Sequence, residues 1–534
     1  MQQRKIIYPL FSFIVLAGIM AAWPCTINAQ NSPAKKYNIL FIAVDDLKPD
    51  LNCYGFSTVH SPNIDELAKS STLFTSAYCQ QAICGPTRAS MLTGLRPDRT
   101  KVWDLKTKMR AVNPQIVSLP QYFKTNGYTA VGMGKVFDPS NVDKGGDEIS
   151  WSVPFTKTFP LAKGYEKIAF GIYQSQKIKD IVAADGDEDK DESQFYGPDK
   201  NKSIRFSTEC LDVPDDAYMD GAMANYAAEQ LKAMKNANQP FFMAVGFKKP
   251  HLPFVAPKKY WDLYDRNKIE LALWNKPSVG SPDIAYHNGG ELRNYAADIN
   301  PLNTNKEPGL TLSEEKQKEL IHGYYACISY TDAQIGKLLK ALKENGLDKN
   351  TIIVLWGDHG WHLGDHNLWC KHSNFEQATR IPLIVNMPGI TSGKKCGSFA
   401  ESVDIYPTLC ELAGLKTGTY LDGKSLAPLL KNNKAVNKDF AISQYPRGAG
   451  DGPKEVMGYS IRTKQFRYTE WVNKFTTNDV FDTSKVKAVE LYDYVNDPLE
   501  TKNIATEESA RSTVGELSNM LHDYYKQQLE TMQK

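Results

Sequence analysis

The chain has 534 residues, of which 42% are hydrophobic and 11% aromatic. This is the composition of an ordinary globular protein, long enough for one large and one smaller domain. Its 63 lysines and arginines balance 61 aspartates and glutamates, so it lacks the basic excess of a protein that binds nucleic acids non-specifically.

Residues 1–29 predict a cleaved signal peptide. Arg4 and Lys5 precede an apolar run from Ile6 to Ala22, and Ala29 offers a small residue at a cleavage point. A retained membrane anchor is the alternative, but two prolines and a tyrosine interrupt or closely follow the apolar run. We therefore expect export without a stable membrane anchor, to the periplasm or the medium, or to a lysosome-like compartment in a eukaryote.

Four short apolar runs each lead directly into polar residues. Fully apolar strands are typical of a largely parallel sheet that helices cover on both faces. Ligands bind such sheets beyond the carboxyl ends of the strands, so the four runs predict one site. The runs are Asn38–Val44 before Asp45 and Asp46, Tyr128–Gly134 before Lys135, Phe241–Phe247 before Lys248, Lys249 and His251, and Thr351–Trp356 before Asp358 and His359.

The segment from Cys84 to Gly94 reads Cys-Gly-Pro-Thr-Arg-Ala-Ser-Met-Leu-Thr-Gly. Pro86 suits the first turn of a helix, which would place Cys84 at the positive end of the helix dipole, where an anion binds well. Arg88 would lie one turn further on, able to direct its guanidinium back toward residue 84. A buried cysteine before an ordinary helix is the alternative for this motif taken alone.

The remaining patterns complete an α/β fold. A 3.6-residue apolar periodicity predicts a helix over Leu320–Leu342, and Asp404–Ala413 predicts another. Prolines and glycines around Pro446–Pro453 predict a boundary between a catalytic domain at 30–445 and a C-terminal subdomain at 446–534. The predicted fold is a large mixed, mostly parallel sheet covered by helices on both faces, plus a smaller α+β subdomain with an antiparallel sheet. In that subdomain we expect strands in Tyr459–Trp471 and Lys487–Tyr494 and a helix over Thr513–Gln528.

Cys84-x-Pro-x-Arg88 with its Leu-Thr-Gly tail resembles the signature of the sulfatase family, in the alkaline-phosphatase superfamily. The resemblance covers nearly the whole chain after residue 29. It implies a sulfuric ester hydrolase in which a formylglycine-generating maturation enzyme oxidises Cys84 to formylglycine, whose hydrate attacks sulfur. The pattern is most similar to the branch that removes the 2-O-sulfate of a uronic acid from heparan- or chondroitin-type glycosaminoglycan oligosaccharides. The matching segments are Asn38–Asp50, Gln80–Arg88, Phe241–Phe254, Ile321–Leu338, Gly357–Leu363 and Met457–Thr463.

The resemblance also implies that Asp45, Asp46, Asp358 and His359, with residue 84, bind a divalent metal, which is calcium in most of the family. Adjacent carboxylates repel one another without a cation, so a metal is also the physical expectation. A histidine is an unusual ligand for calcium, which prefers oxygen, so other divalent metals stay open. Carboxylates that cap helices at a solvent edge are the alternative.

Three cations and one histidine match the catalytic residues of the family. Arg88, Lys135 and Lys371 would neutralise the sulfate oxygens, and His251 would protonate the departing alcohol. Without the family, Lys371 would be read as a solvated lysine and His251 as a structural histidine.

Asp138 departs from the family pattern, which has a histidine at this position. That histidine is thought to take a proton from the nucleophile as the product leaves. An aspartate could do so only with a raised pKa, whereas nearby lysines and a metal lower the pKa of a carboxyl group. We therefore expect that Asp138 works less efficiently, that another group replaces it, or that turnover is slow.

Four residues are candidates for contact with the sugar ring or its carboxylate: Trp361, Arg462, Arg467 and Trp471. Arginine suits a carboxylate because its guanidinium can donate two parallel hydrogen bonds. Core packing is the alternative for both tryptophans.

Three other functions stay open from sequence. The first is a sulfatase for another sulfated polysaccharide, and the second is a catalytically impaired carbohydrate-binding homologue, which only Asp138 favours. A phosphomonoesterase or phosphodiesterase is disfavoured, because that branch typically uses threonine or serine and more metal ligands. Eight of the nine cysteines follow residue 29 without zinc spacing, and sequence leaves any disulfide pairing open.

Overall fold

A computed structural model of the chain describes residues 36–184, 205–303, 308–448, 456–473 and 486–532. The signal peptide expected at 1–29 and most of the proline- and glycine-rich stretch lie outside these residues. Among the described residues, no helix is both long and apolar enough to cross a membrane. The strands are β1 Asn38–Val44, β2 Thr72–Tyr78, β3 Thr129–Gly134, β4 Thr208–Leu211, β5 Phe241–Phe247, β6 Phe254–Pro257, β7 Thr351–Gly357, β8 His362–Leu363, β9 Trp369–Cys370, β10 Arg380–Asn386, β11 Lys394–Cys396, β12 Ala400–Glu401, β13 Ala441–Arg447, β14 Val456–Arg462, β15 Phe466–Asn473 and β16 Val486–Asp493.

The α-helices range from single turns to eight turns. They are α1 Pro62–Lys69, α2 Cys84–Thr93, α3 Pro97–Thr100, α4 Met109–Val112, α5 Leu119–Thr125, α6 Gln176–Ala184, α7 Met219–Ala233, α8 Lys258–Trp261, α9 Gly290–Arg293, α10 Glu314–Glu344, α11 Glu376–Thr379, α12 Ile405–Leu412, α13 Ala427–Lys431 and α14 Arg511–Met532.

The large sheet has the strand order β11-β2-β10-β7-β1-β5-β3, and β12 also pairs with β2. Strands β7, β1, β5 and β3 are parallel to their neighbours among these four. Strand β10 is antiparallel to both β7 and β2. The sheet is therefore mixed, and the four predicted strands form its parallel half, with their carboxyl ends at one edge.

Helices cover both faces of this sheet, as predicted, and β1 shows why its sequence is apolar at every position. Ile39, Phe41 and Ala43 pack into one core with residues of α2, α5 and α12. Leu40, Ile42 and Val44 pack into a second core with residues of α1, α7 and α10. Because successive side chains of a strand point to opposite faces, a strand between two helical layers must be apolar throughout.

The longest helix, α10, begins six residues before the predicted start at Leu320. Ser313 caps it by accepting a hydrogen bond from the backbone N–H of Lys316, and two glutamates follow in the first turn. These early residues are exposed or half-buried, so the apolar periodicity becomes visible only at Leu320.

The second sheet is antiparallel, in the order β13-β14-β15-β16, and α14 packs against it, which confirms the predicted α+β architecture. The predicted strand region Tyr459–Trp471 divides into β14 and β15, joined by a turn in which the Thr463 N–H donates to the Phe466 carbonyl at 2.8 Å. The first strand of this sheet begins at Ala441, and the boundary at residue 446 stays a prediction.

Gly246 in β5 lets the chain after β3 pass closely. The Lys135 N–H donates to the Gly246 carbonyl at 2.8 Å, and a Cβ atom at residue 246 would lie 2.1 Å from the carbonyl carbon of Lys135. We expect Gly246→Ala to lower the free energy of unfolding by about 1–3 kcal/mol, because the backbone of Lys135 must move. Urea denaturation measures this loss.

Gly515 provides the matched control. It is exposed in α14, and nothing lies within 4 Å of a Cβ built there. Gly515→Ala should stabilise the protein by up to about 1 kcal/mol, since alanine favours a helix. If Gly246→Ala unfolds at the same urea concentration as the original protein, the close approach of the Lys135 backbone to Gly246 is wrong.

Candidate active site

The carboxyl ends of β1, β3, β5 and β7 bring the predicted polar residues together at one edge of the sheet. Asp45, Asp46, Asp358 and His359 are each 0% exposed. Their contacts link the ends of β1 and β7: the Asp46 N–H donates to Asp358 Oδ1 at 2.9 Å, and His359 Nε2 lies 3.4 Å from Asp46 Oδ1. The site predicted from strand ends is therefore one buried cluster.

The backbone at Asp46 has a positive φ of 59°, which is uncommon for a residue with a side chain. Besides the bond to Asp358, its carbonyl accepts a hydrogen bond from the Tyr324 hydroxyl at 2.7 Å, and that hydroxyl accepts one from the Lys48 N–H at 3.1 Å. The bonds from Tyr324 in α10 and from Asp358, directly after β7, hold the turn after β1.

Cys84 is the first residue of α2, and all ten residues of this helix are buried. Its Sγ lies 3.4 Å from His359 Nε2 and 3.9 Å from Asp46 Oδ1. Pro86 lies in the first helical turn, as expected. Burial, together with Asp45, raises the pKa of the Cys84 thiol well above its usual value. The encoded thiol is therefore neutral and a weak nucleophile as it stands.

Arg88 joins two of the carboxylates from one turn further along α2. Its Nε donates to Asp358 Oδ2 and its Nη2 to Asp45 Oδ1, both at 3.0 Å. Its Nη1 donates to the carbonyls of Lys135 and Val136. The guanidinium is 0% exposed, so it neutralises Asp45 and Asp358 from inside the protein.

The three buried carboxyl groups differ in acidity. Burial acts to raise the pKa of Asp45, but Lys135 and Arg88 outweigh it and hold that pKa well below the usual value. Burial raises the pKa of Asp358 to about 7, with Arg88 opposing and Asp45 reinforcing the rise. Burial also raises the pKa of Asp46 well above the usual value, against Lys371. Further positive charge would therefore favour the ionised forms of Asp46 and Asp358.

These residues fit a divalent metal ion. Ligand atoms of Asp45, Cys84, Asp358 and His359 lie within 4.8 Å of one another, and so do those of Asp45, Asp46, Cys84 and His251. Three carboxylates supply the oxygen atoms that hard divalent cations prefer, and a cation would counter the rise in pKa at Asp46 and Asp358.

Two lysines flank the carboxylates. Lys135 Nζ lies 2.5 Å from Asp45 Oδ2, and its side chain is 13% exposed. Lys371, directly after β9, is buried rather than solvated, and its Nζ lies 3.0 and 3.2 Å from the two oxygens of Asp46. Lys135 thus pairs with Asp45, and Lys371 pairs with Asp46, the two neighbouring carboxylates after β1.

His251 lies in the loop after β5. The backbone N–H groups of Lys248 and Lys249 donate to Asp220, which holds the start of this loop. His251 Nδ1 lies 2.5 Å from the Leu252 carbonyl oxygen. Because a carbonyl can only accept, this contact places a proton on Nδ1 and leaves Nε2 facing the cluster, 3.9 Å from an oxygen of Asp46.

Comparison with known proteins identifies the family of the chain. The sequence model described as Sulfatase matches residues 37–415, and one described as N-sulphoglucosamine sulphohydrolase, C-terminal, matches residues 364–527. Human iduronate 2-sulfatase is 34% identical over 546 residues, which cover 92% of this chain and 95% of the human protein. The chain belongs to the sulfatase family. It is an enzyme that hydrolyses sulfate esters.

Other relatives of the sulfatase extend these matches. A sulfatase of Formosa agariphila is 32% identical over 499 residues, covering 91% of this chain and 86% of that protein. Among solved structures, a phosphonate monoester hydrolase of Agrobacterium radiobacter has a TM-score of 0.68 at 21% identity, with 92% and 96% of the chains covered. A structure described as a 2-O GAG sulfatase has a TM-score of 0.62 at 23% identity, with 92% of each chain covered. These structures show the shared fold.

Asp138 lies beside the cluster rather than in it. Its Oδ1 accepts hydrogen bonds from the Ser140 N–H at 3.0 Å and the Ser140 hydroxyl at 2.5 Å, which caps the 3₁₀ turn Pro139–Asn141. Its Oδ2 lies 3.8 Å from Lys135 Nζ.

The candidates for sugar contact differ in position. Trp361 stacks on Tyr324 with ring centroids 6.3 Å apart, and Lys371 Nζ lies 5.0 Å from the centroid of its indole, so it borders the cluster. It is 1% exposed and packs in the hydrophobic core, which was the alternative for this tryptophan. Arg462 and Arg467 instead pair with Glu376, at 3.1 and 2.6 Å, and Trp471 Nε1 donates to Glu490 at 2.7 Å. These last three side chains make their polar contacts around the second sheet.

Glu291 in α9 is a site residue that sequence reasoning missed. Its Oε1 lies 2.8 Å from Lys371 Nζ and 3.5 Å from His251 Nε2. Its Oε2 lies 2.7 Å from His372 Nε2, and His372 Nδ1 lies 2.7 Å from the Tyr445 hydroxyl. A one-turn helix away from any strand of the large sheet gave no signal in the sequence.

The cluster predicts metal-dependent stability. After treatment with a chelator, added Ca²⁺ should raise the unfolding temperature of the sulfatase. An ion that binds only the folded state stabilises it by about 4 kcal/mol at a thousand times its Kd. Scanning calorimetry against concentrations of Ca²⁺, Mg²⁺, Mn²⁺ and Zn²⁺ measures the shift and ranks the ions.

Asp46→Asn should abolish most of this shift, because it removes a carboxylate charge from the cluster. Asp523→Asn, which changes an exposed residue of α14, should retain it in full. An equal shift in Asp46→Asn and the original protein would place the ion elsewhere.

Proposed function

We propose that this sulfatase is exported and removes the 2-O-sulfate of a uronic acid from heparan- or chondroitin-type glycosaminoglycan fragments. The observation that carries the proposal is the 34% identity to human iduronate 2-sulfatase along 92% of this chain. A solved structure with the same fold is described as a 2-O GAG sulfatase, which supports the 2-O position of the sulfate in the proposed substrate.

In this proposal a maturation enzyme converts Cys84 to formylglycine. The neutral, buried thiol at the N-terminus of α2 supports this, because a thiol held protonated would be a poor nucleophile. The hydrated aldehyde would supply a hydroxyl nucleophile at the position of Sγ, 3.4 Å from His359. The positive end of α2 points at the same place and favours a bound anion there.

Asp45, Asp46, Asp358 and His359 would bind the divalent metal, with calcium as the expected ion. Such an ion lowers the pKa of a hydroxyl bound to it and adds positive charge next to the reacting sulfate. Arg88 keeps Asp45 and Asp358 in place for this purpose, since both its charged contacts are to these ligands.

Lys135 and Lys371 would bind the sulfate oxygens. Fixed positive charges in a buried site stabilise charge that develops in the transition state, and they need no reorganisation to do so. The 13% exposure of Lys135 gives an incoming sulfate access to its ammonium, and Lys371 reaches the same carboxylate pair from the other side. Trp361 packs against Lys371 and is 1% exposed, so a sugar contact there requires neighbouring side chains to move, and a contact through Arg462 requires it to leave Glu376.

His251 would protonate the departing alcohol through Nε2 while in its imidazolium form, because in the neutral ring the one proton is on Nδ1. Its Nδ1 proton is committed to the Leu252 carbonyl, which fixes the plane of the ring and directs Nε2 toward Asp46. Imidazole is the usual group for this transfer near neutral pH.

Asp138 would act as the weaker substitute for the histidine of the family. Its Oδ1 is held by Ser140, so Oδ2, beside Lys135, is the oxygen that could accept a proton. A carboxylate next to a lysine is a weaker base than an imidazole.

The first test is sulfate release from defined disaccharides, using protein co-produced with a formylglycine-generating enzyme. The substrates should carry single 2-O-, 4-O-, 6-O- or N-sulfates on heparan- and chondroitin-type units. We expect release from the uronate 2-O-position alone. Cys84→Ala should abolish release, and Cys210→Ala, at an exposed cysteine, should leave it unchanged.

The outcomes separate the alternatives. Release from another position would contradict the proposed substrate and leave the sulfatase chemistry intact. Disaccharide binding without release, by protein whose residue 84 is an aldehyde in mass spectrometry, would favour the catalytically impaired carbohydrate-binding homologue.

A second test addresses Asp138. Asp138→His should raise kcat by about tenfold with little change in KM, because general-base catalysis improves as the pKa of the base approaches the working pH. Asp138→Asn, which keeps the size of the side chain but cannot accept a proton, should lower kcat. If Asp138→Asn turns over as fast as the original protein, Asp138 takes no part in proton transfer.

A further inference from the structure

Glu291 places a negative charge against the groups proposed to bind the sulfate ester. One oxygen, Oε1, lies 2.8 Å from Lys371 Nζ and 3.5 Å from His251 Nε2. An anion that accepts a hydrogen bond from Lys371 would therefore lie within roughly 6 Å of this carboxylate, which is two hydrogen-bond lengths. Glu291 thus lies beside the place proposed for the sulfate group.

The carboxylate is ionised and held in place. Burial acts to raise its pKa, but Lys371 and His372 outweigh burial and hold the pKa of Glu291 well below its usual value. The contacts from Oε2 to His372 and from His372 to Tyr445 anchor its far side at 2.7 Å each. The side chain is 16% exposed, so solvent reaches it.

Lys371 has Asp46 as a further acidic partner. Asp46 already lies 3.0 and 3.2 Å from its Nζ. Glu291 also repels any anion that binds next to Lys371. Coulomb repulsion is proportional to the charge of the anion, so one carboxylate repels a doubly charged anion twice as strongly as a singly charged anion of the same shape.

We propose that Glu291 is a specificity-determining residue that disfavours doubly charged tetrahedral anions in the pocket relative to singly charged ones. This inference rests on the proposed function, from which it takes Lys371 and His251 as the groups that face the sulfate. A sulfate ester carries one negative charge, whereas a phosphate monoester carries nearly two at neutral pH. Specificity by repulsion of the wrong ligand is a common device in proteins.

The same charge acts on the product. Hydrolysis converts a singly charged ester and water into an alcohol, the doubly charged sulfate ion and a proton. Glu291 therefore repels the product more strongly than the substrate, which lowers product inhibition and favours release.

The test compares two anions of similar size and different charge, sulfamate with one negative charge and sulfate with two. Their Kd values for the calcium-loaded protein are measured by titration calorimetry, independently of turnover. In Glu291→Gln we expect the ratio of the sulfate Kd to the sulfamate Kd to fall by about tenfold or more, since one unit of repulsion is removed at short range. The inhibition constant of sulfate in the disaccharide assay should fall in parallel.

Two further variants complete the design. Glu508→Gln removes the same charge from an exposed residue that pairs with Arg511, and it should leave the ratio unchanged. Glu291→Asp keeps the charge but withdraws it by one methylene, so the ratio should fall by a smaller factor. This variant tests the proposal even if Glu291→Gln does not fold.

A ratio unchanged within twofold in both folded Glu291 variants would overturn the proposal, and so would an equal fall in Glu508→Gln. If the original protein releases sulfate and only the ratio fails to change, the role of Glu291 is wrong and the proposed function stands. If the original protein binds neither anion and releases no sulfate, the anion pocket is wrong, and both proposals fall together.

Discussion

Three carboxylates with no exposure, Asp45, Asp46 and Asp358, are the constraint on which the rest of the structure depends. An unpaired charge in a protein interior is strongly destabilising, so each neighbouring element must supply a compensating group. Helix α2 supplies Arg88, the chain after β3 supplies Lys135, and the chain after β9 supplies Lys371. The order β7-β1-β5-β3 makes this possible, because it sets the carboxyl ends of these parallel strands side by side.

The position of residue 84 follows from this constraint. Arg88 is locked to Asp45 and Asp358, and residue 84 lies one helical turn before it on the same face of α2. With all ten residues of α2 buried, the helix cannot shift without breaking those ion pairs. The buried arginine therefore fixes the distance between residue 84 and His359.

Much of this arrangement could be predicted from sequence, because strand ends in a parallel sheet must meet. The bounds of β1 and β5 match the predicted runs, and Asp45, Lys135 and Asp358 follow from where the strands stop. Lys371 was predicted only through resemblance, since it follows a two-residue strand outside the large sheet. Arg462 illustrates a second limit. A strand pattern does not predict which acidic residue, distant in sequence, will form an ion pair with an arginine. In this structure Arg462 pairs with Glu376.

Glu291 and Trp361 show that the contacts of the site form two halves, one around Arg88 and one around Lys371. One half is sealed: Arg88 holds Asp45 and Asp358, and its guanidinium has no exposure. In the other half, Lys371 lies between Asp46, Glu291 and the ring of Trp361, and Trp361 in turn stacks on Tyr324, whose hydroxyl holds the Asp46 carbonyl. A cation held by two acids and an aromatic face is fixed in space before any ligand arrives. The half around Arg88 therefore fixes the carboxylates, and the half around Lys371 fixes the ammonium group that is proposed to meet the ligand.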